Sequence, residues 1–146
     1  MEEDKKDEVL DFLKKHVKMV LAINEANDYP NASLLHYVVT DSFGILFGTK
    51  RGFGKYNALV ADPKVSFVVV EEGIDPLRVV DGRGMAQEIT AELELQLAHD
   101  LFRSKNDAKW YVENADDFVM FEITPTSIRW LDATSGNLQI HDLQVG

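Results

Sequence analysis

Apolar and polar positions along this chain follow two different periods. In the opening stretch DKKDEVLDFLKKH, Val9, Phe12, Leu13 and His16 recur at helical spacing. Acids lead that stretch and lysines close it, an order that complements the helix dipole. The pattern then becomes that of strands. VKMVLAIN (Val17–Asn24) is β-rich and nearly all apolar, and NDYP supplies a turn. NASLLHYVVT (Asn31–Thr40) reads as the returning strand of a hairpin, and ILFGT (Ile45–Thr49) as the third strand of a meander.

A glycine-rich stretch follows, and KYNALVADP then reads as a short helix stopped at Pro63. KVSFVVVEEG (Lys64–Gly73) is a strand with a buried centre. LRVVDGRGMAQEIT (Leu77–Thr90) is a longer strand interrupted at Gly82 and Gly84, as at a bulge or barrel corner. Thr90 can cap a helix through AELELQLAHDLFR, with Leu93, Leu97 and Leu101 four residues apart. NDAKWYVEN suggests a second helical piece, in which Trp110 and Tyr111 read as packing or dimer-interface residues. Strands DFVMFEIT (Asp117–Thr124) and SIRWLDAT (Ser127–Thr134), joined at Pro125, and a weaker NLQIHDL end the chain. There is no internal repeat and no linker. The pattern predicts a single α+β domain over residues 1–146, with roughly six or seven mainly antiparallel strands curled into a small barrel.

Composition narrows the function. With 45% hydrophobic and 27% charged residues, the chain has the make-up of a soluble globular protein. No stretch has the length of a membrane span, and the acidic start does not resemble a signal or transit peptide, so the expected location is cytoplasmic. The absence of cysteine removes disulfides, thiolate metal sites and cysteine nucleophiles. A net charge of −10 argues against a nucleic-acid partner. Yet no Asp or Glu occurs from Ser42 to Ala61, a window that holds Lys50, Arg51 and Lys55. A local cationic island in an anionic chain suits a small anionic ligand.

The island centres on GTKRGFGKY, Gly48 to Tyr56. Five residues separate Gly48 from Gly54-Lys55, where a Walker A loop needs four, and Tyr56 replaces its magnesium-binding hydroxyl residue. The dinucleotide fingerprint also fails, since GFGKYN lacks a third glycine. What remains are the elements of a simpler phosphate site. These are a hydroxyl at Thr49, three cations, glycines that let amides approach, and a following helix N-terminus. A solvated connection with lysines facing water accounts for the spacing equally well.

His16, His36, His99 and His141 are widely spaced without a paired-ligand pattern, so no metal site is expected. His36 reads either as a half-buried histidine satisfied by a carbonyl or as a catalytic one. Ser33 and Ser135 lack a nucleophile-elbow context, and Glu71 and Glu72 read as a solvated loop.

The order of elements carries a resemblance. Strand ASLLHYVVTDSFGILFGT, loop KRGFGK, helix YNALVADP, strand KVSFVVV and long strand RVVDGRGMAQEI together resemble the pyridoxamine 5'-phosphate oxidase-like, FMN-binding split-barrel proteins. The likeness spans residues of about 10 to 130. It implies a homodimer of split barrels with FMN at the subunit interface. It also implies an FMN-dependent oxidoreductase drawing electrons from a donor such as NAD(P)H and acting on a small-molecule substrate.

Carried over by position, the resemblance places Phe47, Gly48, Thr49 and Lys50 at the strand end that meets the flavin phosphate, with Arg51 in reserve. Lys55 matches the lysine of the family's Ser-x-Lys element. Ser33, Leu34, Leu35 and His36 lie on the strand beside the isoalloxazine ring. Arg78 falls where a polar residue reaches the ring's pyrimidine side, and Trp130 on the partner's side of the pocket. The vitamin-B6 oxidases have an Arg and a Lys on the first of these strands, where this chain offers only His36. The Ser of Ser-x-Lys is Phe53 here, and a C-terminal Arg-x-x-Pro-type element is missing. These departures point to a flavin-reductase-like or general-stress-like member rather than a true pyridoxamine-phosphate oxidase. A non-catalytic binder of flavin, F420 or haem on the same scaffold is the alternative. No residue is an evident proton donor, so no catalytic residue is assigned.

Overall fold

The computed structural model describes residues 2–73, 75–105 and 118–145. The expected NDAKWYVEN helix, with Trp110 and Tyr111, lies outside the described residues. Among those described, the chain runs α1 (Glu2–Lys15), β1 (Lys18–Ile23), β2 (Asn31–His36), β3 (Val38–Val39), β4 (Ile45–Lys50) and α2 (Gly54–Ala61). It continues through β5 (Lys64–Val70), β6 (Arg78–Glu88), α3 (Glu92–Lys105), β7 (Phe118–Asp132) and β8 (Gln139–Gln144). No described helix is long and apolar enough to cross a membrane.

The strands form one antiparallel eight-stranded sheet in the order β2-β1-β5-β6-β7-β4-β3, with β8 also on β7. Its edges β2 and β3 are consecutive in the chain. The single strand expected over Asn31–Thr40 is therefore split at Tyr37, where the chain leaves one edge for the other. Two contacts fix the crossing. The amide of Tyr37 donates to the Val17 carbonyl (3.0 Å), and its buried hydroxyl donates to the Leu13 carbonyl (2.6 Å). The outcome is a curled, split barrel.

Period-2 alternation turns Met19, Leu21, Phe47, Phe67, Val80, Phe121 and Trp130 into the barrel. At one end Val9, Phe12 and Leu13 of α1 close this core, and at the other Leu59 of α2 does. A second cluster lies outside the barrel, where Ala98 and Phe102 of α3 cover Val38, Leu46 and Met120.

β6 runs as one strand through Gly82 and Gly84, and the bulge expected at those glycines is the register shift against β7 between Arg83 and Gly84. There, glycine makes room rather than ending the strand: a Cβ on Gly82 would stand 2.2 Å from the Phe67 ring, and one on Gly84 2.5 Å from the Thr124 carbonyl oxygen. The two late strands are likewise one. β7 passes through Pro125, with a register shift against β6 between Arg83 and Gly84 that absorbs the irregularity.

Candidate functional site

The cationic loop joins β4 to α2 at one end of the barrel. Alternation along β4 turns Phe47 and Thr49 inward, and both are buried, Phe47 stacked on Phe121 at 5.6 Å. Gly48 lies beneath the Phe118 ring, 2.3 Å from where a Cβ would sit, so any side chain there would have to displace that ring. Lys50 faces solvent, and Gly52 and Gly54 have open space around them.

At the start of α2, Phe53 occupies the N-cap position, no side chain caps the helix, and no acid lies in its first turn. The Phe53 amide donates to the Lys50 carbonyl (3.0 Å) and the Tyr56 amide to that of Phe53 (3.1 Å), which leaves the amides of Gly54 and Lys55 for another acceptor. Lys55, in that turn, is half-buried, and burial holds its ammonium below the usual lysine range. Neither Lys50 nor Lys55 forms an ion pair among the described residues.

Arg51 is differently placed. Its guanidinium donates to Glu88 (3.2 Å) and to the Tyr56 hydroxyl (2.7 Å), and lies 5.2 Å from the centre of that ring. Tyr56 in turn donates to Glu88 (2.9 Å), and that bond pushes its phenol up from the ordinary value. The triad ties the loop to the end of β6 and occupies Arg51, the cation expected in reserve for phosphate. Sequence reading missed Tyr56 and Glu88. Thirty-seven positions separate Arg51 from Glu88, so no local pattern links them.

The β2 residues split by alternation. Ser33 and Leu35 lie opposite Leu21 and Met19 on the interior face, while Leu34 opposite Val20 is exposed on the outer one. His36 lies opposite Lys18 on that outer face. The pairing of Asn31 with Ile23, and the Asn24 amide donating to Asp62 (3.0 Å), set the start of β2 at the same end as α2.

Arg78 and Trp130 lie elsewhere. They sit near the start of β6 and the end of β7, under α1, whereas the loop meets the opposite ends of both strands. Trp130 has no exposed surface. Its ring meets Phe12 edge-on at 4.9 Å and its indole N–H donates to Glu8 (3.3 Å), so it is a core residue with no face to offer a partner's pocket. Arg78 donates through Nε to Glu71 (2.9 Å) and lies 5.6 Å from the Phe12 ring centre. Glu71, expected on a solvated loop, is instead this arginine's partner, with His16 3.7 Å away.

A curled antiparallel sheet with a helix at each end, and a cation-bearing loop opening onto one of those helices, defines a split-barrel protein. The sequence profile of the pyridoxamine 5'-phosphate oxidase family matches residues 6–132, and the chain belongs to that family. No match was found among proteins of curated function. Among solved structures it is similar to a putative pyridoxamine 5'-phosphate oxidase from Listeria innocua, at 19% identity and a TM-score of 0.72, covering 86% of this chain and 97% of that one. A heme binding protein from Mycobacterium smegmatis gives 20% identity and 0.71 over 86% of this chain, which spans only 52% of that protein's length. A FAD-binding protein from Mesorhizobium loti gives 21% and 0.67, covering 83% of this chain and 89% of that one. At such identities the likeness is one of fold.

Proposed function

We propose that this protein binds FMN as a homodimer and serves as an FMN-dependent oxidoreductase. The observation that carries the reading is the start of α2. A half-buried lysine without an acid partner stands beside uncapped helix amides and two glycines with open space around them. That donor set fits a phosphate: Lys55 supplies charge, the amides supply aligned hydrogen bonds, and Lys50 adds a second cation from the strand end. Thr49 lies on the buried face of β4, so its contribution would come through the backbone. When bound, FMN supplies the redox chemistry, and this chain's residues hold and orient it.

Dimerisation draws support from the sheet's outer face. The cross-strand row Leu34–Val20–Val68, with Val70 nearby, is left uncovered by any described element. Apolar patches of this kind mark interaction surfaces.

The test is a titration with FMN and with riboflavin, followed by flavin fluorescence. Lys55→Ala should weaken FMN by about tenfold while leaving riboflavin nearly unchanged, since a charge-assisted bond is lost from a partly exposed site. Arg51→Ala should change FMN affinity far less, because Glu88 already holds that guanidinium. Equal losses for both ligands would remove Lys55 from the phosphate, and no binding of either would remove the flavin. A Soret band on titration with haemin, without flavin binding, would favour the non-catalytic reading on this scaffold. Bleaching of bound FMN by NADH or NADPH would separate a reductase from a carrier.

A further inference from the structure

The chain has five arginines, and four are paired: Arg51 with Glu88, Arg78 with Glu71, Arg103 with Asp100, and Arg129 with Asp142. Arg83 is the one arginine without an ion pair among the described residues, in a chain of net charge −10. It borders a cleft of about 350 Å³ on the outer face of β1, β5 and β6, which Ala22, Pro30, Lys64, Ser66 and Met85 also line. Strand pairing builds the floor. Ala22, Ser66 and Arg83 lie opposite one another across the three strands, and Lys64 lies opposite Met85.

The backbone at Arg83 is fixed in two ways. The register shift against β7 falls between Arg83 and Gly84, and the Thr126 hydroxyl donates to the Arg83 carbonyl (3.2 Å). The extra residue of this bulge is Thr126 on β7, while β6 keeps its alternation and sets Arg83 on the exposed face. Two acids lie nearby. Asp81, two positions earlier on the same face, lies opposite Arg129, which Asp142 holds, and forms no ion pair with Arg83. Asp62 accepts from the Asn24 amide and the Lys64 backbone, and the Lys64 ammonium has no ion pair among the described residues.

We propose that this cleft binds a small organic anion with an apolar body, its charge held by Arg83 and Lys64 and its body by Ala22, Pro30 and Met85. The volume lies in the range of small-molecule sites, and such sites combine an apolar lining with a few placed polar groups. The proposal goes beyond the FMN reading and does not rest on it.

Amide chemical-shift mapping with naphthoate as the anionic probe and naphthamide as its neutral counterpart tests it, on protein with and without FMN. Naphthoate should shift the amides of Ser66, Gly84 and Met85 saturably at millimolar concentration, and naphthamide should not. Arg83→Gln should weaken naphthoate about tenfold, and Lys64→Gln by less, with Arg103→Gln, on α3, as the unaffected control. Lys64→Gln also stands in if Arg83→Gln fails to fold. FMN affinity should be unchanged in Arg83→Gln, so failure at the cleft and failure at the β4–α2 loop remain distinguishable. Equal binding of the neutral probe would overturn the proposal, as would the absence of shifts.

Discussion

Gly82→Ala tests whether β6 needs glycine for space rather than for backbone freedom. Gly82 pairs with Phe67 on β5 and Ile128 on β7, in the extended interior of the sheet. An added Cβ would stand 2.2, 2.7 and 2.8 Å from three atoms of the Phe67 ring, which is itself buried. Overpacking a filled core costs about 1–3 kcal/mol, whereas replacing glycine by alanine in a compatible conformation returns about 0.4–1 kcal/mol through the unfolded chain. The net expectation is a loss of about 1–2 kcal/mol, read as a lower urea midpoint at unchanged slope. The decisive measurement is the double-mutant cycle with Phe67→Leu. Shortening the ring empties the space that the new methyl needs, so the pair should be less destabilised than the sum of the singles by about 1 kcal/mol or more. Comparison in flavin-free protein keeps ligand stabilisation out of the difference. Additivity within about 0.5 kcal/mol would refute the steric account.

Stability should also depend on alkaline pH through Lys105. Burial lowers its ammonium to about 8, while in the unfolded chain it titrates near about 10.4. Between those values the unfolded chain binds more protons, so stability should rise with pH; below about 8 the penalty is complete and constant. For a partly exposed ammonium the rise should be about 1 kcal/mol, and Lys105→Met should reduce it without abolishing it, since Lys55 is shifted in the same direction. Above pH of about 10 the trend should reverse, because burial raises the Tyr37 phenol and the unfolded chain then loses its proton first. A flat denaturation profile between pH 8 and 10 would count against the buried position of Lys105. At the outer sheet face, Leu34→Glu should shift the protein toward monomer in sedimentation and weaken FMN in parallel. A variant that stays dimeric would put the interface on another face.

Much of the fold was legible because period-2 alternation is a local property. Val17–Asn24, Ile45–Thr49 and Lys64–Gly73 read as strands and hold β1, β4 and β5, and the sequential hairpins with a glycine-bent long strand already favoured a small barrel. The errors arose where tertiary context overrides local chemistry. Pro125 reads as a break, yet it sits within a continuous strand because the register shift beside Gly84 accommodates it. Tyr37 reads as the middle of a strand, yet it is the hinge between two sheet edges, held by a carbonyl twenty-four residues earlier.

The candidate site shows the same division in sharper form. GTKRGFGKY announces a cationic loop, and its order in the chain places it before α2, but charge count alone treats its three cations as equivalent. Only the fold distinguishes them. Arg51 is held by an acid from the far end of β6, Lys50 extends into solvent, and Lys55 alone is drawn partly out of water without a counter-charge. A desolvated cation without an acid partner is the costly arrangement, and a bound anion relieves that cost most directly. The same contrast applies to the arginines, since Arg78 is paired with Glu71 while Arg83, unremarkable in sequence, has no ion pair among the described residues and borders a cleft. Which cations remain for ligands is decided by where the acids fall after folding, and that is a property of the sheet's pairing rather than of any short motif.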